Sequence, residues 1–335
     1  MSALRARLRR LPQDLRRAFA WFASSPAPPQ PLAVLRIAVS VFALLQVWLL
    51  WPYLHQLYGN FGFVQWVILE TSPETWLPSI GKVCLALQPY GVSSAACVNG
   101  VFGIYALSLV GLALGWRTRA CAAVAWMAHT LTINSGYLSL YGVDTMVHIC
   151  LFYLVWMPAG EAFSMDQRRR RRPPTPSAGA GLALRTFQIH LCVIYLNAGT
   201  AKMRGEQWWN GEAIWRALIN PEFGGAQFSW LAHLPLLAMG LGWATMLVEA
   251  GYAFFIWPRA VRPWWVAATV GLHLGIGATM GLWMFSIVMI IMTVSAFGLP
   301  LVDWTAAGQL SGAWRTRLPP KWAHRTWTGA VTRRS

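Results

Sequence analysis

The chain has 335 residues, of which 56% are hydrophobic and 11% are charged, and its mean hydropathy is +0.44. A soluble domain carries about 25% charged residues, so the composition excludes an ordinary soluble protein and indicates an integral membrane protein. The net charge of +16 does not indicate nucleic-acid binding, because the arginines lie beside apolar runs, as cytoplasmic anchors in contact with anionic lipid head groups do.

The first 30 residues form a basic arm before the first long apolar run. The charged part of this arm is too long for a signal peptide, and its apolar patch, Phe19 to Phe22, is too short. In a helix, its larger apolar residues would share one face: Leu4, Leu8, Leu11, Leu15 and Phe19. This pattern predicts an amphipathic helix at the membrane surface within residues 1–30.

Eight runs that follow are long and apolar enough for membrane-spanning helices, which need about 20 residues each. They cover residues 32–51, 98–115, 118–135, 142–159, 184–203, 236–257, 263–280 and 283–300. The last two runs leave only a few residues for a turn, which we place near Gly281. The predicted fold class is therefore an all-α polytopic transmembrane helix bundle of about eight spans, with residues 31–300 as the membrane domain.

The basic residues alternate from one loop to the next. The basic segments are the N-terminal arm, Arg117 with Arg119, the run Arg168–Arg172, Arg259 with Arg262, and the tail 301–335. The loops between them, 52–97, 136–141 and 204–235, carry few or mixed charges. Because basic loops stay in the cytoplasm, both termini are predicted to be cytoplasmic, with a cytoplasmic linker over residues 167–183. The expected location is a cell membrane, the inner membrane of a bacterium.

Five cysteines show no regular spacing, and we expect no metal, because no metal-ligand pattern appears. Cys84 and Cys97 lie in or beside one non-cytoplasmic loop, where they either pair or remain free. The other three fall inside apolar spans, where a thiol usually acts as a small hydrophobic group: Cys121, Cys150 and Cys192.

Ionisable side chains inside a span are costly unless they are paired or hydrated, so each is a candidate functional residue. These residues are Arg36, His129, Asp144, His148, His190, Lys202, Glu249 and His273. Near the cytoplasmic end of the first span, Arg36 is expected to snorkel to the interface and act as an anchor. His129 and His190 have no evident partner and are expected to form hydrogen bonds between helices.

Specific candidate partners can be named for two of the carboxylates. Asp144 and His148 are four residues apart and share a helix face, so the carboxylate can fix the imidazole tautomer. In the alternative, Asp144 is a helix-start aspartate favoured by the helix dipole, beside a packed histidine. Glu249 has no neutralising neighbour within one turn and is predicted to face another helix, with His273 or Arg36 as its partner.

Lys202 ends the fifth predicted span, on the outer side. A lysine at the end of a span usually snorkels, but here the small residues Ala198 and Gly199 permit a close helix approach. The tryptophans that follow, in MRGEQWWNGEAIW, suit an interface or a planar ligand. If the lysine is desolvated there, its neutral amine becomes usable as a general base.

The stretch YLNAGTAKMRGEQWWNG resembles the tyrosine–alanine–glycine–lysine–tryptophan–glycine motif of the HTTM membrane proteins, which include vitamin K-dependent gamma-carboxylase. Three further segments agree with that family in order. They are Pro31-Leu-Ala-Val-Leu-Arg36, then Tyr141-Gly142 followed by Phe163-Ser-Met-Asp166, and last His273 with Phe285-Ser286 and Met289. Together these segments extend the resemblance over roughly residues 31–300.

The resemblance implies an enzyme of the gamma-glutamyl carboxylase type, a carbon–carbon lyase coupled to quinone epoxidation. Lys202 would deprotonate a reduced vitamin K-type quinone (menaquinol-like), whose reaction with dioxygen gives a strong base. That base removes a proton from a glutamate of an extracytoplasmic protein substrate, and the carbanion takes up carbon dioxide. The predicted catalytic residues are Lys202, His273, Asp144 and His148, and the predicted cofactor-binding residues are Tyr195, Gly199, Trp208, Trp209 and Glu249.

The sequence departs from the family pattern in three ways. Ala201 replaces the first of two lysines, and Tyr137 takes the place of a histidine that assists the animal enzyme. Only a basic tail of about 35 residues follows the last span, on the cytoplasmic side, where the animal enzyme has a large extramembrane region that holds its substrate. We therefore expect the quinone half of the reaction and an altered or missing glutamate half.

Two functions remain open on the sequence: a quinol-dependent membrane enzyme, and a non-enzymatic quinone- or lipid-binding subunit or transporter. An enzyme requires Lys202, His273 and the Asp144/His148 pair to converge on one outward-facing cavity. A transporter would instead distribute its polar groups along a path across the membrane.

Overall fold

The structure of the chain, a computed structural model, describes residues 19–63, 65–66, 76–136, 140–223 and 228–302, together with Gln13 and Arg16. Within these residues the secondary structure is helical and no strand is present, apart from one isolated bridge between Ala27 and Ser177. The all-α prediction is confirmed. Most of the predicted amphipathic arm, Tyr137 and nearly all of the basic tail lie outside the described residues.

Eight long helices occupy the eight predicted positions. They are α1 (Gln30–Leu50), α2 (Ser94–Leu114), α3 (Thr118–Ser135), α4 (Gly142–Trp156), α5 (Ala178–Met203), α6 (Pro235–Phe255), α7 (Arg262–Met280) and α8 (Trp283–Thr293). Short α-helices cover Leu54–Tyr58, Ile80–Leu87, Met165–Arg170, Glu206–Trp209 and Glu212–Ile219, and short 3-10 helices cover Trp51–Tyr53, Gln88–Tyr90, Pro221–Phe223, Ser229–His233 and Leu299–Leu301. A π-helix, Val294–Gly298, continues α8.

Four described helices have the length and hydropathy to cross a membrane: Gln30–Tyr58, Ser94–Leu114, Ala178–Met203 and Pro235–Phe255. Gly142–Trp156 and Trp283–Gly298 are shorter apolar helices. Large apolar side chains are exposed along these helices, among them Leu107 at 73% and Leu236 at 80%. A soluble protein rarely exposes such faces, so they agree with a chain embedded in lipid. The number of crossings and their orientation stay predictions.

Helix α5 begins six residues earlier than predicted. The hydroxyl of Ser177 accepts a hydrogen bond from the amide of Ala180 at 3.1 Å, which caps the helix start. The small residues of the AGAG segment therefore join the helix, and only the residues around the prolines remain an irregular linker. The turn predicted near Gly281 is confirmed, because Gly281 has a φ of +69° that favours glycine.

Helix α8 lies between two groups of helices. It packs on α1 and α4 on one side and on α7 on the other, while the π-helix contacts α1, α5 and α7. On one side α1 packs on α2, α2 on α3 and α3 on α4; on the other side α5 packs along α6. Residues 1–300 form one compact unit, and residues 301–335 form a second unit that the structure describes only at residues 301 and 302.

Candidate active site

Lys202 lies in the last turn of α5 and forms an ion pair with Glu249 of α6. The Lys202 Nζ and the Glu249 Oε2 are 2.7 Å apart, with the lysine side chain 23% exposed and the glutamate side chain 8% exposed. Glu249 therefore does face another helix, as predicted, but its partner is Lys202. The predicted pairing with His273 or Arg36 is wrong.

The close approach of α5 and α6 makes this ion pair possible. A Cβ added at Gly199 would collide with the backbone nitrogen and Cα of Ala250, so only glycine fits between the two helices at this point. Gly199 is three residues before Lys202, and Ala250 directly follows Glu249. The predicted close approach at Gly199 is confirmed. That contact occupies the face of Gly199 toward α6, so the structure gives this residue a packing role and no ligand contact there.

Two turns below Lys202 on α5, a second hydrogen-bonded group is buried. The Tyr195 hydroxyl lies 2.7 Å from Nε2 of His273 on α7 and 3.3 Å from Oγ1 of Thr293 at the end of α8. The Tyr195 ring stacks on the ring of Tyr252 with centroids 4.1 Å apart. Tyr252 is one turn after Glu249 on α6, so these residues join the ion pair in one group. We call six residues the lysine cluster: Lys202, Glu249, Tyr195, Tyr252, His273 and Thr293.

His273 is almost fully buried, and within the described residues its Nδ1 has no hydrogen-bond partner. A seven-residue step along an α-helix is about 10 Å, which separates the Tyr195 level, where His273 is bonded, from the Lys202 level. Thus the structure brings His273 into the lysine cluster through Tyr195, below the ion pair.

Two tryptophans follow α5 at the Lys202 end. The Lys202 Nζ lies 5.2 Å from the centroid of the Trp208 ring, within the range of a cation–π interaction. Trp209 is 48% exposed, and its indole N–H donates to the carbonyl of Met203 at 2.8 Å. Its own carbonyl accepts a hydrogen bond from the Trp243 indole at 3.0 Å. Trp208 is therefore the predicted cofactor-binding tryptophan that contacts the lysine.

Asp144 and His148 do not pair in the structure. A carboxylate oxygen of Asp144 accepts from the backbone N–H of Tyr141 at 3.2 Å, and this capping role agrees with the alternative of a helix-start aspartate. The Nε2 of His148 accepts from the indole N–H of Trp126 at 3.1 Å. The side chain of Asp144 is held back over the helix start, which is why it does not reach the imidazole one turn away.

His148 instead belongs to a group of neutral side chains on α2, α3 and α4. Its ring stacks on that of His129 with centroids 5.7 Å apart. His129 contacts the hydroxyl of Tyr105 at 3.0 Å and the backbone carbonyl of Asp144 at 3.1 Å. We call Tyr105, Trp126, His129 and His148 the histidine cluster; Asp144, whose carboxylate caps the start of α4, contributes only its backbone carbonyl to it. The predicted interhelical bond of His129 is confirmed.

A cavity of about 320 Å³ adjoins the histidine cluster, at the ends of α1, α3, α4 and α8. Its polar lining includes His129, Asp144, Tyr141, Tyr58 and Gln46. The cavity lies at the predicted outer, non-cytoplasmic ends of these helices. Neither Lys202 nor His273 lines it.

Phe285 of α8 stands between the two clusters. Its ring centroid is 5.7 Å from that of His273, and a Cβ added at Gly142 would come within 2.9 Å of its Cε2. The four predicted catalytic residues thus fall into two groups, Lys202 with His273 and Asp144 with His148. Neither of the two cavities described in the structure is lined by residues of both groups.

At the predicted cytoplasmic end, Arg36 is fully buried. Its guanidinium donates to the carbonyl of Leu112 at 2.9 Å and to that of Phe163 at 2.6 Å. The prediction that Arg36 snorkels is wrong, because its guanidinium binds these two carbonyls inside the bundle, while its Nε has no hydrogen-bond partner among the described residues. Its role as an anchor is confirmed, since it ties α1 to the end of α2 and to the segment after α4. His190 also forms the interhelical bond predicted for it, at 3.0 Å to the Tyr153 hydroxyl.

Several residues that complete these clusters were not predicted from the sequence. Tyr252 and Thr293 join the lysine cluster, Tyr105 and Trp126 join the histidine cluster, and Phe285 separates them. Tyr252 gave one signal, since it lies on the same face of α6 as Glu249. The others depend on which helices are neighbours.

The structure also shows a disulfide between Cys84 and Cys97, which the sequence left open, while Cys121, Cys150 and Cys192 are free and buried.

Comparison with known proteins gives one finding. A family model described as the HTTM domain matches residues 83–304, about two thirds of the chain, and covers every residue of both clusters. Neither the curated proteins nor the solved structures give a match.

Proposed function

This chain belongs to the HTTM domain family, and we propose that it is a quinol-dependent, carboxylase-like enzyme of the cell membrane. The HTTM domain is a membrane domain of the vitamin K-dependent carboxylase family. The observation that carries the proposal is the Lys202–Glu249 ion pair, partly exposed at the end of α5 and backed by a flat indole. An intramembrane ion pair is costly to maintain, which favours a functional reason for keeping it.

The residues around Lys202 fit a reduced quinone. Such a molecule is planar and apolar with ionisable hydroxyl groups, and Trp208 offers a flat apolar surface at 5.2 Å from the Lys202 Nζ. Lys202 is 23% exposed, so a ligand can reach it from the outer end of the bundle. When bound, the quinol supplies the reducing equivalents for dioxygen and the base strength that carboxylation requires.

The ion pair acts in this proposal as a proton acceptor. An ammonium beside a carboxylate can take up one more proton, on the Glu249 carboxylate, and the pair then carries a net positive charge. The Lys202 ammonium stabilises the anion that the departing proton leaves behind. In this proposal Lys202 binds and stabilises the anion, and Glu249 receives the proton in place of Lys202, the base expected from the sequence. Tyr195 and His273 hold α5 against α7 beneath the pair.

The disulfide supports the outer location of this chemistry. Disulfides persist in oxidising compartments outside the cytoplasm, and Cys84–Cys97 joins the segment before α2 to the start of α2. If each long helix crosses once, the end of α5 that carries Lys202 is on the same side as the start of α2. The disulfide and the distribution of basic residues therefore favour the same orientation, independently of each other.

Hydroquinone-dependent oxygen uptake by the purified protein tests the proposal. We expect Lys202→Ala and Glu249→Gln to lower the rate by at least about 100-fold, the usual contribution of a positioned acid–base group. Lys82→Ala is the matched control, because Lys82 lies in the short helix Ile80–Leu87 before α2 and its ammonium donates to the carbonyl of Leu77. Unchanged uptake in Lys202→Ala would refute the assignment.

A fold-preserving variant separates lost chemistry from lost structure. In Lys202→Met/Glu249→Leu both charges are absent and no buried charge is left unpaired, so this variant should fold and still take up no oxygen. Carboxylation itself is tested by mass spectrometry for a gain of about 44 Da, the mass of carbon dioxide, on co-expressed extracytoplasmic proteins.

One observation favours the alternative of a transporter. Lys202, Tyr195 and Gln188 are each seven residues apart on α5, and the Gln188 side chain donates to the carbonyl of Ala296 at 2.6 Å. This polar row extends about 20 Å along the helix. A transporter predicts quinol-independent proton flux into liposomes that contain the protein, and that flux should be lost in Gln188→Leu. Absence of flux with intact oxygen uptake favours the enzyme.

A further inference from the structure

A second cavity, of about 600 Å³, opens at the opposite, predicted cytoplasmic end of the bundle. It lies where α2 turns into α3, against the segment that follows α4. Three arginines line it, Arg117, Arg119 and Arg170, together with the carboxylates of Glu161 and Asp166. The proposed enzymatic function makes no use of this cavity.

The cavity is strongly basic. The segments that form it, 117–120 and 157–172, contain seven arginines and two carboxylates. Among the residues that the structure describes, the arginines 117, 119 and 170 form no ion pair within 4.0 Å. Three arginines therefore line one space with no carboxylate paired to any of them, and the Arg117 guanidinium lies 5.5 Å from the centroid of the Trp116 ring.

Both carboxylates already have other partners. Asp166 accepts from the backbone N–H of Arg117 at 2.9 Å, and from the backbone N–H and the hydroxyl of Thr118 at 2.8 and 2.7 Å. Burial alone would raise the pKa of Asp166, but the hydrogen bonds from Thr118 and Arg117 and the charge of Arg170 hold it below its ordinary value. Glu161 accepts from the Ser177 hydroxyl at 3.2 Å.

The turn is built so that the arginines stay in place. Arg117 has a φ of +42°, a left-handed conformation that costs a non-glycine residue about 1 kcal/mol, and the hydrogen bonds of Asp166 offset this cost. Gly160 lets the segment after α4 close on the turn, because a Cβ there would meet the Thr118 hydroxyl at 2.7 Å. The cavity wall is therefore held by hydrogen bonds between backbone and side chain.

The cavity lies at the level of a membrane surface. Trp116, beside Arg117, is 41% exposed, and Trp156 at the end of α4 is 69% exposed. Tryptophans at helix ends are typical of the boundary between lipid and water. Leu114, the last residue of α2, is 56% exposed, so an apolar surface begins directly beside the arginines.

We propose that this cavity binds the phosphate of an anionic phospholipid, with the acyl chains along the exposed apolar ends of α2 and α4. Guanidinium groups bind phosphate through paired, charge-assisted hydrogen bonds, and three of them line the space. The apolar surface next to the cavity distinguishes a lipid from a free phosphate, which would gain nothing from it.

Thermal unfolding of the purified full chain in neutral detergent tests the proposal. Added phosphatidylglycerol should raise the unfolding temperature by roughly 5 °C at saturating concentration, whereas phosphatidylcholine and inorganic phosphate should not. In the triple variant Arg117→Asn/Arg119→Gln/Arg170→Gln the phosphatidylglycerol effect should disappear. Asparagine is chosen at position 117 because it tolerates the left-handed conformation.

A second triple variant, Arg204→Gln/Arg216→Gln/Arg259→Gln, removes the same charge from exposed positions elsewhere and should keep the full effect. An equal rise in both triple variants would overturn the site, because it would show that the lipid acts through general charge. An equal rise with inorganic phosphate alone would overturn the lipid assignment. Oxygen uptake is measured separately in the cavity variant, so failure of this proposal is distinguishable from failure of the proposed enzyme.

Discussion

The lysine cluster and the histidine cluster provide partners for their buried polar groups in different ways. The lysine cluster contains a pair of opposite charges and joins helices α5, α6, α7 and α8. The histidine cluster joins α2, α3 and α4 through neutral side chains and one backbone carbonyl. Neutral hydrogen bonds are sufficient to connect helices, so the charge in the lysine cluster exceeds what helix packing requires. This additional pair of charges is the physical reason for proposing that the chemistry occurs at the lysine cluster.

The largest effect is expected from breaking the ion pair on one side only. Lys202→Met leaves the Glu249 carboxylate buried without a partner, which costs about 3–5 kcal/mol, and the lower part of that range applies because Lys202 is partly exposed. Adding Glu249→Leu should restore most of the stability, because no charge is then left. Thermal unfolding in detergent, followed by tryptophan fluorescence, measures both variants. A double variant as unstable as the single one would contradict a coupled pair.

The next effect concerns the packing that brings the charges together. In Gly199→Ala the new methyl group meets the backbone of Ala250, and α6 must move away, at a cost of about 2–3 kcal/mol. Gly271→Ala is the control, because a Cβ at that position of α7 has no neighbour within 4 Å. The control should be neutral or slightly stabilising. Equal unfolding temperatures for the two variants would argue against the close contact.

A third comparison removes one hydroxyl from each cluster. Tyr195→Phe leaves the buried His273 with neither ring nitrogen bonded within the described residues, at a cost of about 2 kcal/mol. Tyr105→Phe leaves His129 its bond to the Asp144 carbonyl and should cost about 1 kcal/mol. Urea or thermal unfolding of both variants tests the order. The reverse order would mean that the histidine cluster is the more tightly constrained of the two.

The smallest effect is a dependence on pH at the start of α3, the helix that carries His129. The pKa of Asp166 is lowered in the folded chain, so its contribution is complete above the ordinary carboxyl pKa near 4. That contribution is lost as the pH falls through the lowered folded pKa. Asp166→Asn should cost about 1 kcal/mol at pH 7, and its difference from wild type should shrink below pH 4. A difference that grows in acid would contradict this sign. Glu206→Gln serves as a control.

The sequence predicted the helices well and the pairings poorly, for a physical reason. Long apolar runs determine where helices form, and the eight predicted positions are occupied. The bounds were less exact: α2 begins four residues before its predicted start, and the α-helix α8 ends seven residues before its predicted end. The start of α5 was missed by six residues, because the Ser177 cap is a local hydrogen bond within a linker-like composition. Pairings depend on which helices are neighbours and on their rotation. Glu249 was therefore correctly predicted to face another helix, but the partners named for it, His273 and Arg36, were wrong. For Asp144 the sequence left pairing with His148 and capping of the helix both open, and the structure shows the cap.

The position of Arg36 in the chain has a consequence for the order of events during synthesis. Its guanidinium donates to carbonyls that lie 76 and 127 residues further along. At about 5–20 residues per second, the first helix waits roughly 6–25 s before its second carbonyl partner has been made. During that time a cation in the first helix lacks its final partners. We therefore expect the nascent first helix to stay near the membrane surface, or against the insertion machinery, until the segment after α4 has been synthesised.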